Sequence, residues 1–119
     1  MKNVKDQIAE ALLEVTENVT DAYPQNWTDF PTIQYTEENN MVHTRTDNRE
    51  QMAFVSYRID VWNNRSTSET ALAVDEAIAK LGLVRSMCQD ANDQTGLKHK
   101  VMRYEGVIDM NSDIVYWPA

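Results

Sequence analysis

Hydrophobic and polar residues alternate through the middle of the chain, from Ala53 to Trp62. One face of this stretch carries Ala53, Val55, Tyr57, Ile59 and Val61. The opposite face carries Phe54, Arg58, Asp60 and Trp62. A period of two is typical of a strand with one buried face. We therefore predict a strand whose first face packs on the core. Its half-polar second face displays Phe54 and Trp62 to another surface.

A helix is predicted directly after this strand. Ser66 and Glu69 have the spacing of a capping box, in which the two side chains bond the free amides of the first turn. The buried stripe that follows consists of Ala71, Val74, Ile78 and Leu81. Gly82 is expected to end the helix, because glycine enters the left-handed conformation at low cost.

The N-terminal part of the chain predicts another helix, over residues 4–22. Its apolar positions recur every three or four residues and are Val4, Ile8, Leu12, Val15 and Val19. Tyr23 precedes Pro24, and proline disfavours helix at the residue before it. The helix is therefore expected to end there.

The remaining segments predict strands and one long loop. Residues 32–36 and 98–109 alternate as strands do. Residues 37–50 are polar throughout and predict a long, partly mobile hairpin loop. Residues 83–90 are either a strand or a helix extension, and 114–117 are either a short last strand or an apolar tail. The order predicts one α+β domain over 1–119, with a C-terminal arm at 110–119. We expect a mostly antiparallel sheet of four to five strands with both helices on one face.

Charge and cysteine content narrow the classes of function. The formal net charge is −8, and residues 1–50 hold four Lys/Arg against ten Asp/Glu. Such a surface repels phosphate backbones and anionic membranes, so we expect neither partner. No apolar run reaches the roughly 18 to 20 residues of a membrane span. Cys88 is the only cysteine, which excludes an internal disulfide and favours synthesis in the cytosol.

The residues that carry catalysis or bind cofactors are sparse. His43 and His99 are the only histidines, and with one cysteine they form no metal-binding spacing. The three glycines, Gly82, Gly96 and Gly106, are too scattered for a phosphate-binding loop. We expect no catalytic residue, no cofactor and no metal.

Two features of the last predicted long strand have alternative interpretations. Lys98, His99, Lys100 and Arg103 form a basic cluster. The cluster either contacts the acidic half of a neighbouring copy or lies on an edge strand, where lysines prevent stray pairing. Gly106 within the strand pattern indicates a bulge or a close approach of another backbone.

Several motifs in a fixed order resemble the small tail terminator, or tail-completion, proteins of tailed bacteriophages and prophages. They are Pro31-x-Ile33-x-Tyr35-x-Glu37-x-Asn39, Tyr57-x-Ile59-Asp60-Val61-Trp62, Ser66 at a helix start, and Arg103-Tyr104-Glu105-Gly106-Val107-Ile108-Asp109. The resemblance covers most of the chain, from residue 4 to about residue 110.

The resemblance implies an α+β subunit of a homo-hexameric ring with no catalytic residues. Such a ring caps the tail tube, stops polymerisation of the tube protein and offers a docking face to the head–tail connector protein. It is made in the cytoplasm of the host bacterium and ends in the virion tail. An acidic lumen would let DNA pass without adhering, because like charges repel.

A small, non-enzymatic bacterial module that binds or regulates another protein is the alternative function. For the ring, we expect interface residues on the polar loop, the second strand face, the basic cluster and the C-terminus. These are Glu37, Glu38, Asn40, Arg45, Asp47, Arg49, Phe54, Arg58, Trp62, Lys98, Lys100, Arg103 and Trp117.

Overall fold

In a computed structural model, which describes residues 1–116, the chain forms two helices and a six-stranded, mostly antiparallel open sheet. The elements are α1 (Lys5–Leu13), β1 (Val19–Thr20), β2 (Thr32–Thr46), β3 (Arg49–Asn63), α2 (Ser68–Ala79), β4 (Val84–Ala91), β5 (Lys98–Asp109) and β6 (Val115–Tyr116). The strand order is β1-β2-β3-β5-β4, and β6 pairs with β5. Only the β1–β2 pair is parallel among the described strands. The predicted α+β class is confirmed, and the two-residue strands β1 and β6 bring the number of strands to six.

The hydrophobic core lies between the helices and one face of the sheet, which we call the inner face. The five predicted core residues of β3, from Ala53 to Val61, are all fully buried. The same core contains Ile8 and Leu12 of α1 and Val74 and Ile78 of α2. The alternation in β3 therefore identified the buried face correctly.

The first helix ends at Leu13, nine residues earlier than predicted. The side chain of Thr16 donates to the carbonyl of Pro31 (3.1 Å), and the carbonyl of Asn18 accepts from the amide of Ile33 (2.8 Å). These bonds draw the chain alongside β2, where Val19 pairs with Ile33. The apolar positions recur with a helical period up to Val19, but hydrogen bonds to a distant segment end the helix before the period ends.

Residues 37–50 lie in a hairpin, as predicted, but as paired strands and not as a long loop. These residues belong to β2 and β3, which form one long antiparallel hairpin. Asp47 and Asn48 make its two-residue turn with φ of 53° and 62°, as a hairpin of right-handed twist requires. Both faces of β2 are largely exposed from Glu38 onward, so this stretch needs no apolar alternation.

The start and the end of α2 had different outcomes. Only one half of the predicted capping box is present: Oγ of Ser66 accepts from the amide of Ser68 (3.2 Å), the first residue of α2. The N-cap residue is Thr67, which makes no side-chain capping bond. Gly82 follows the helix with φ of 92°, as expected of a stop. Residues 84–91 then form β4, which decides the alternative that the sequence left open.

Gly106 is the site of a close approach inside β5. A Cβ atom at this position would lie 2.9 Å from Cδ2 of Leu83 and 3.1 Å from Cγ1 of Val115. The first distance is shorter than real Cβ contacts. The glycine therefore lets the chain after α2 and the strand β6 pack against β5.

Candidate interaction surface

The sheet face opposite the helices, which we call the outer face, was predicted to meet a partner. Strand pairing places Arg58 of β3 opposite Arg103 of β5, which faces Met87 of β4. At the far end of the strands, Trp62 faces His99. The end with Trp62 and His99 is covered by another segment of the chain. Predicted interface residues under this segment are not exposed on the surface.

Trp62 is not a surface residue, contrary to the prediction. Its side chain is 2% exposed, because the segment before β2 crosses the outer face above it. Tyr23 and Trp27 contact the Trp62 ring edge-on at centroid distances of 5.9 and 5.4 Å. His99 stacks on the same ring at 4.4 Å. The tryptophan therefore belongs to a small second core, and it cannot bind a partner without unfolding this cover.

A chain of charged groups continues from this aromatic cluster across the outer face. Arg58 donates twice to Asp60, from Nε to Oδ1 (2.8 Å) and from Nη2 to Oδ2 (2.9 Å). Nε2 of His99 lies 2.8 Å from Oδ2 of Asp60. Asp60 is 4% exposed, so these side chains take the place of water around its carboxyl group. The hydrogen bonds that Arg58 donates to Asp60 raise the pKa of Arg58 above its ordinary value.

The turn between β4 and β5 joins this chain of charges through Asp93. Nδ1 of His99 lies 3.4 Å from Oδ2 of Asp93, and Nε1 of Trp62 donates to the same oxygen (2.5 Å). Thr95 donates to the other oxygen from its amide (2.9 Å) and its hydroxyl. Both ring nitrogens of His99 therefore lie beside carboxylates.

The pKa of Asp93 provides a test of this arrangement. Burial alone would raise the pKa of this carboxyl, but bonds from Thr95 and Trp62 outweigh it and hold the pKa below 3.8. A carboxyl whose pKa is lowered by folding stabilises the folded protein at pH values above the pKa of the unfolded chain. This stabilisation is lost as the pH falls through the pKa of the folded state. We expect the free energy of unfolding of Asp93→Asn to decline less than that of the wild type below about pH 4.

Urea unfolding followed by circular dichroism at several acidic pH values measures this difference. Asp47→Asn, at the exposed hairpin turn, is the matched control and should keep the wild-type profile. Equal acid slopes for Asp93→Asn and the wild type would mean that the carboxyl is not stabilised by its neighbours.

The predicted basic cluster is divided between the two faces, and Arg103 and Lys100 form ion pairs within the chain. Arg103 donates to Glu38 on the outer face (2.8 Å), whereas Lys100 bonds Asp90 (2.9 Å) on the inner-face side. Lys98 is exposed. Because β5 lies between β3 and β4, it is not an edge strand, so the edge-strand interpretation of the cluster is wrong. Charge alternation along one strand cannot show which neighbours will pair with it.

The predicted interface residues of the hairpin fall into two groups. Near its base, Glu37 accepts from the Tyr57 hydroxyl (3.1 Å) and Asn40 donates to the carbonyl of Lys2 (2.7 Å). These two residues hold the hairpin to its own chain. The exposed tip carries Arg45, Asp47 and Arg49.

The last two predicted interface residues have separate outcomes. Phe54 is half-buried on the outer face and pairs with Met41 and Val107. Trp117 lies outside the described residues.

Sequence reasoning missed His99, Asp93 and Tyr23 as neighbours of Trp62. The only signal in the sequence was the turn at residues 93–96, which placed Asp93 beside the start of β5. The pairing of β5 with β3, and not with its chain neighbour alone, brings His99 to Trp62.

A comparison with known protein families found no match, and a search of curated proteins found none similar to the chain. Within residues 1–116 no helix is long and apolar enough to cross a membrane. In the same part of the chain, no group of three or more His, Cys, Asp or Glu side chains is placed to hold a metal ion.

Proposed function

We propose that the chain is a structural subunit that forms a ring with copies of itself and caps the tail tube of a phage or phage-like particle. The ring ends polymerisation of the tube protein and offers a docking face to the head–tail connector protein. The motif order described above supports this function. The observation that carries it in the structure is the long hairpin of β2 and β3.

The hairpin dominates the shape of the subunit. Its strands have 15 residues each, and at about 3.3 Å per residue each spans about 50 Å. The whole fold measures 52 × 23 × 23 Å, so the hairpin sets its long axis. β5 pairs with β3 only from Met52 onward, and the tip beyond that point extends past the sheet. Such an arm suits contact with a neighbouring subunit or with the tube.

The polar groups of the outer face favour a structural role over a catalytic one. A catalytic base needs a free position within hydrogen-bond reach of a substrate. The polar atoms of Asp60 and His99 use that position on each other and on Arg58 and Asp93. Their geometry holds the β4–β5 turn on β3, and this rigidity benefits a subunit whose surfaces must fit a ring.

Shortening the hairpin tests the proposed function. Removing residues 43–46 and 49–52 leaves Asp47 and Asn48 as a two-residue turn between Val42 and Ala53, which already face each other. None of the removed residues belongs to the core cluster of the described chain, so we expect a folded subunit. We expect this variant to lose the ability to stop tubes at a defined length, because the arm no longer reaches.

Electron microscopy of tubes polymerised with and without the protein measures tube length, and co-sedimentation measures binding. Circular dichroism establishes that the shortened variant is folded. The double variant Arg45→Ala/Arg49→Ala keeps the full hairpin and separates its reach from its charge. Tubes of normal length with the shortened variant would exclude the hairpin from capping, and wild-type protein that neither binds tubes nor limits them would exclude the proposed function.

A further inference from the structure

The sheet has two open edges, and they lie on opposite sides of the subunit. β4 ends the sheet on one side. On the other side β1 covers β2 only at Ile33 and Gln34, so the edge of β2 is open from there to the hairpin turn. An open edge presents unpaired amides and carbonyls to which another strand can add.

Two of the residue types that often prevent such pairing are missing from both edges. Lysine and proline are absent from both Thr32–Thr46 and Val84–Ala91. Both edges instead expose apolar side chains: Met41 and Val42 on β2 are 50% and 46% exposed, and Val84 on β4 is 45% exposed. A joint between the edges would remove this apolar surface from water.

Strand direction favours a joint between the unlike edges. β2 and β3, β3 and β5, and β5 and β4 are all antiparallel pairs, so β4 runs opposite to β2. When a second copy continues the sheet in the same orientation, its β2 lies antiparallel to β4 of the first copy. This joint also satisfies both open edges of every subunit, whereas a joint between two like edges leaves the other edge of each subunit unpaired.

We propose that neighbouring copies join head to tail, with the β2 edge of one copy paired to the β4 edge of the next. This inference rests on the proposed ring and names its contact. The bound partner is therefore a second copy of this chain.

The positions of the β-bulges determine the register of the joint. Irregular pairing between Glu37 and Asn39 and between Val42 and Thr44 leaves residues 39–42 as a regular run of β2. The irregularity between Arg85 and Met87 leaves residues 87–91 regular in β4. Two antiparallel registers place all of 39–42 inside 87–91, and they differ by one residue.

Only one of these registers keeps the faces of the sheet matched. Val42 pairs with buried Ala53 and Cys88 with buried Met102, so both belong to the inner face. Residues directly opposite in a sheet point to the same side. Val42 therefore lies opposite Cys88, and in the other register it would lie opposite Met87 of the outer face.

The single cysteine allows a direct test of this register. Directly opposite residues of antiparallel strands have Cα atoms about 4.5 to 5.5 Å apart, which lies within the roughly 4.4 to 6.8 Å span of a disulfide. With Val42→Cys, mild oxidation should link the introduced thiol to Cys88 of the next copy. Each subunit then has two linkage points, and denaturing gels should show trimers and larger covalent species.

Met41→Cys is the matched control, because residue 41 is similarly exposed but belongs to the outer face. It should give no covalent species above a dimer, as should the wild type with its single thiol. Adding Cys88→Ser to Val42→Cys should abolish the larger species. The reaction is run in concentrated solution and on material sedimented with tail tubes.

The outcomes separate the joint from the proposed function. A covalent ladder without tube binding supports the joint and rejects tail capping. Tube binding without a ladder under either condition overturns the joint and leaves the capping function standing. Equal ladders from Val42→Cys and Met41→Cys, or a wild type that oxidises mainly to a Cys88-linked dimer, also overturn the joint.

Discussion

Replacing Gly82 by alanine is expected to lower the free energy of unfolding by about 3 kcal/mol, which combines two separate costs. Gly82 has φ of 92°, a left-handed conformation that costs an alanine about 1–2 kcal/mol. A Cβ atom there would also lie 2.3 Å from the carbonyl oxygen of Val115. Relieving that overlap means moving the backbone of β6, a kind of overpacking that costs about 1–3 kcal/mol. Urea unfolding followed by circular dichroism measures the change.

Gly96→Ala separates these two costs. Gly96 also has a positive φ, 80°, but an added Cβ atom would meet no atom within 4 Å. We expect this control to lose only the conformational part, about 1–2 kcal/mol. Similar losses at both glycines would show that β6 does not pack against the end of α2 as described.

Trp62→Ala is expected to lower the free energy of unfolding by about 4 kcal/mol, near the middle of the range for a buried aromatic residue. The substitution removes a ring that contacts Tyr23, Trp27 and His99 and leaves a cavity beneath the segment that covers it. It also leaves the carboxylate of Asp93 without the indole donor. The measurement is urea unfolding of the purified subunit, followed by circular dichroism because indole fluorescence itself changes.

Trp62→Phe is the conservative control. It keeps an aromatic ring in the cluster and loses the hydrogen bond to Asp93, so we expect a loss of about 1–2 kcal/mol. If Trp62 instead faced a partner, as its position in the sequence suggested, both variants would unfold like the wild type. The effect would then appear only in assembly.

The sequence was most informative where burial acts on one face of one element. The alternation of β3 and the stripe of α2 predicted the inner core correctly, because each buried side chain there leaves a local periodic trace. The sequence also identified Gly82 correctly as the end of the second helix, because this role depends on the backbone conformation of a single residue. Gly106 gave a correct warning of close approach, although the residues that approach it were unknown.

The hairpin shows why polar strands escape such reasoning. Residues 38–46 contain few buried side chains, so no hydrophobic period distinguishes them from a loop. What orders them is the backbone ladder to β3, which depends on a strand that comes later in the chain. The positive φ values of Asp47 and Asn48 mark the turn. In the sequence these two residues are only part of the polar segment 37–50.

Tertiary structure determines which of the predicted interface residues are exposed and which are paired within the chain. Arg103, Lys100 and His99 read as a basic patch in the sequence, yet each meets a carboxylate from a different strand or turn. Trp62 read as exposed because a strand pattern cannot show that residues 23–27 will return over it. Except for the pair of Lys100 and Asp90, these contacts join positions more than thirty residues apart, and a local pattern carries no information on them.

By itself, the sequence determined the fold class, the buried face of β3 and the glycine that ends α2, because local periodicity and the backbone limits of single residues set these features. Tertiary structure alone decided that β2 runs to the hairpin turn, that Trp62 is covered and that the sheet keeps open edges at β2 and β4. The physical reason is that strand pairing and ion pairing depend on which distant segments come together. The set of segments that come together is the one that gives the whole chain its lowest free energy, and no single segment determines it.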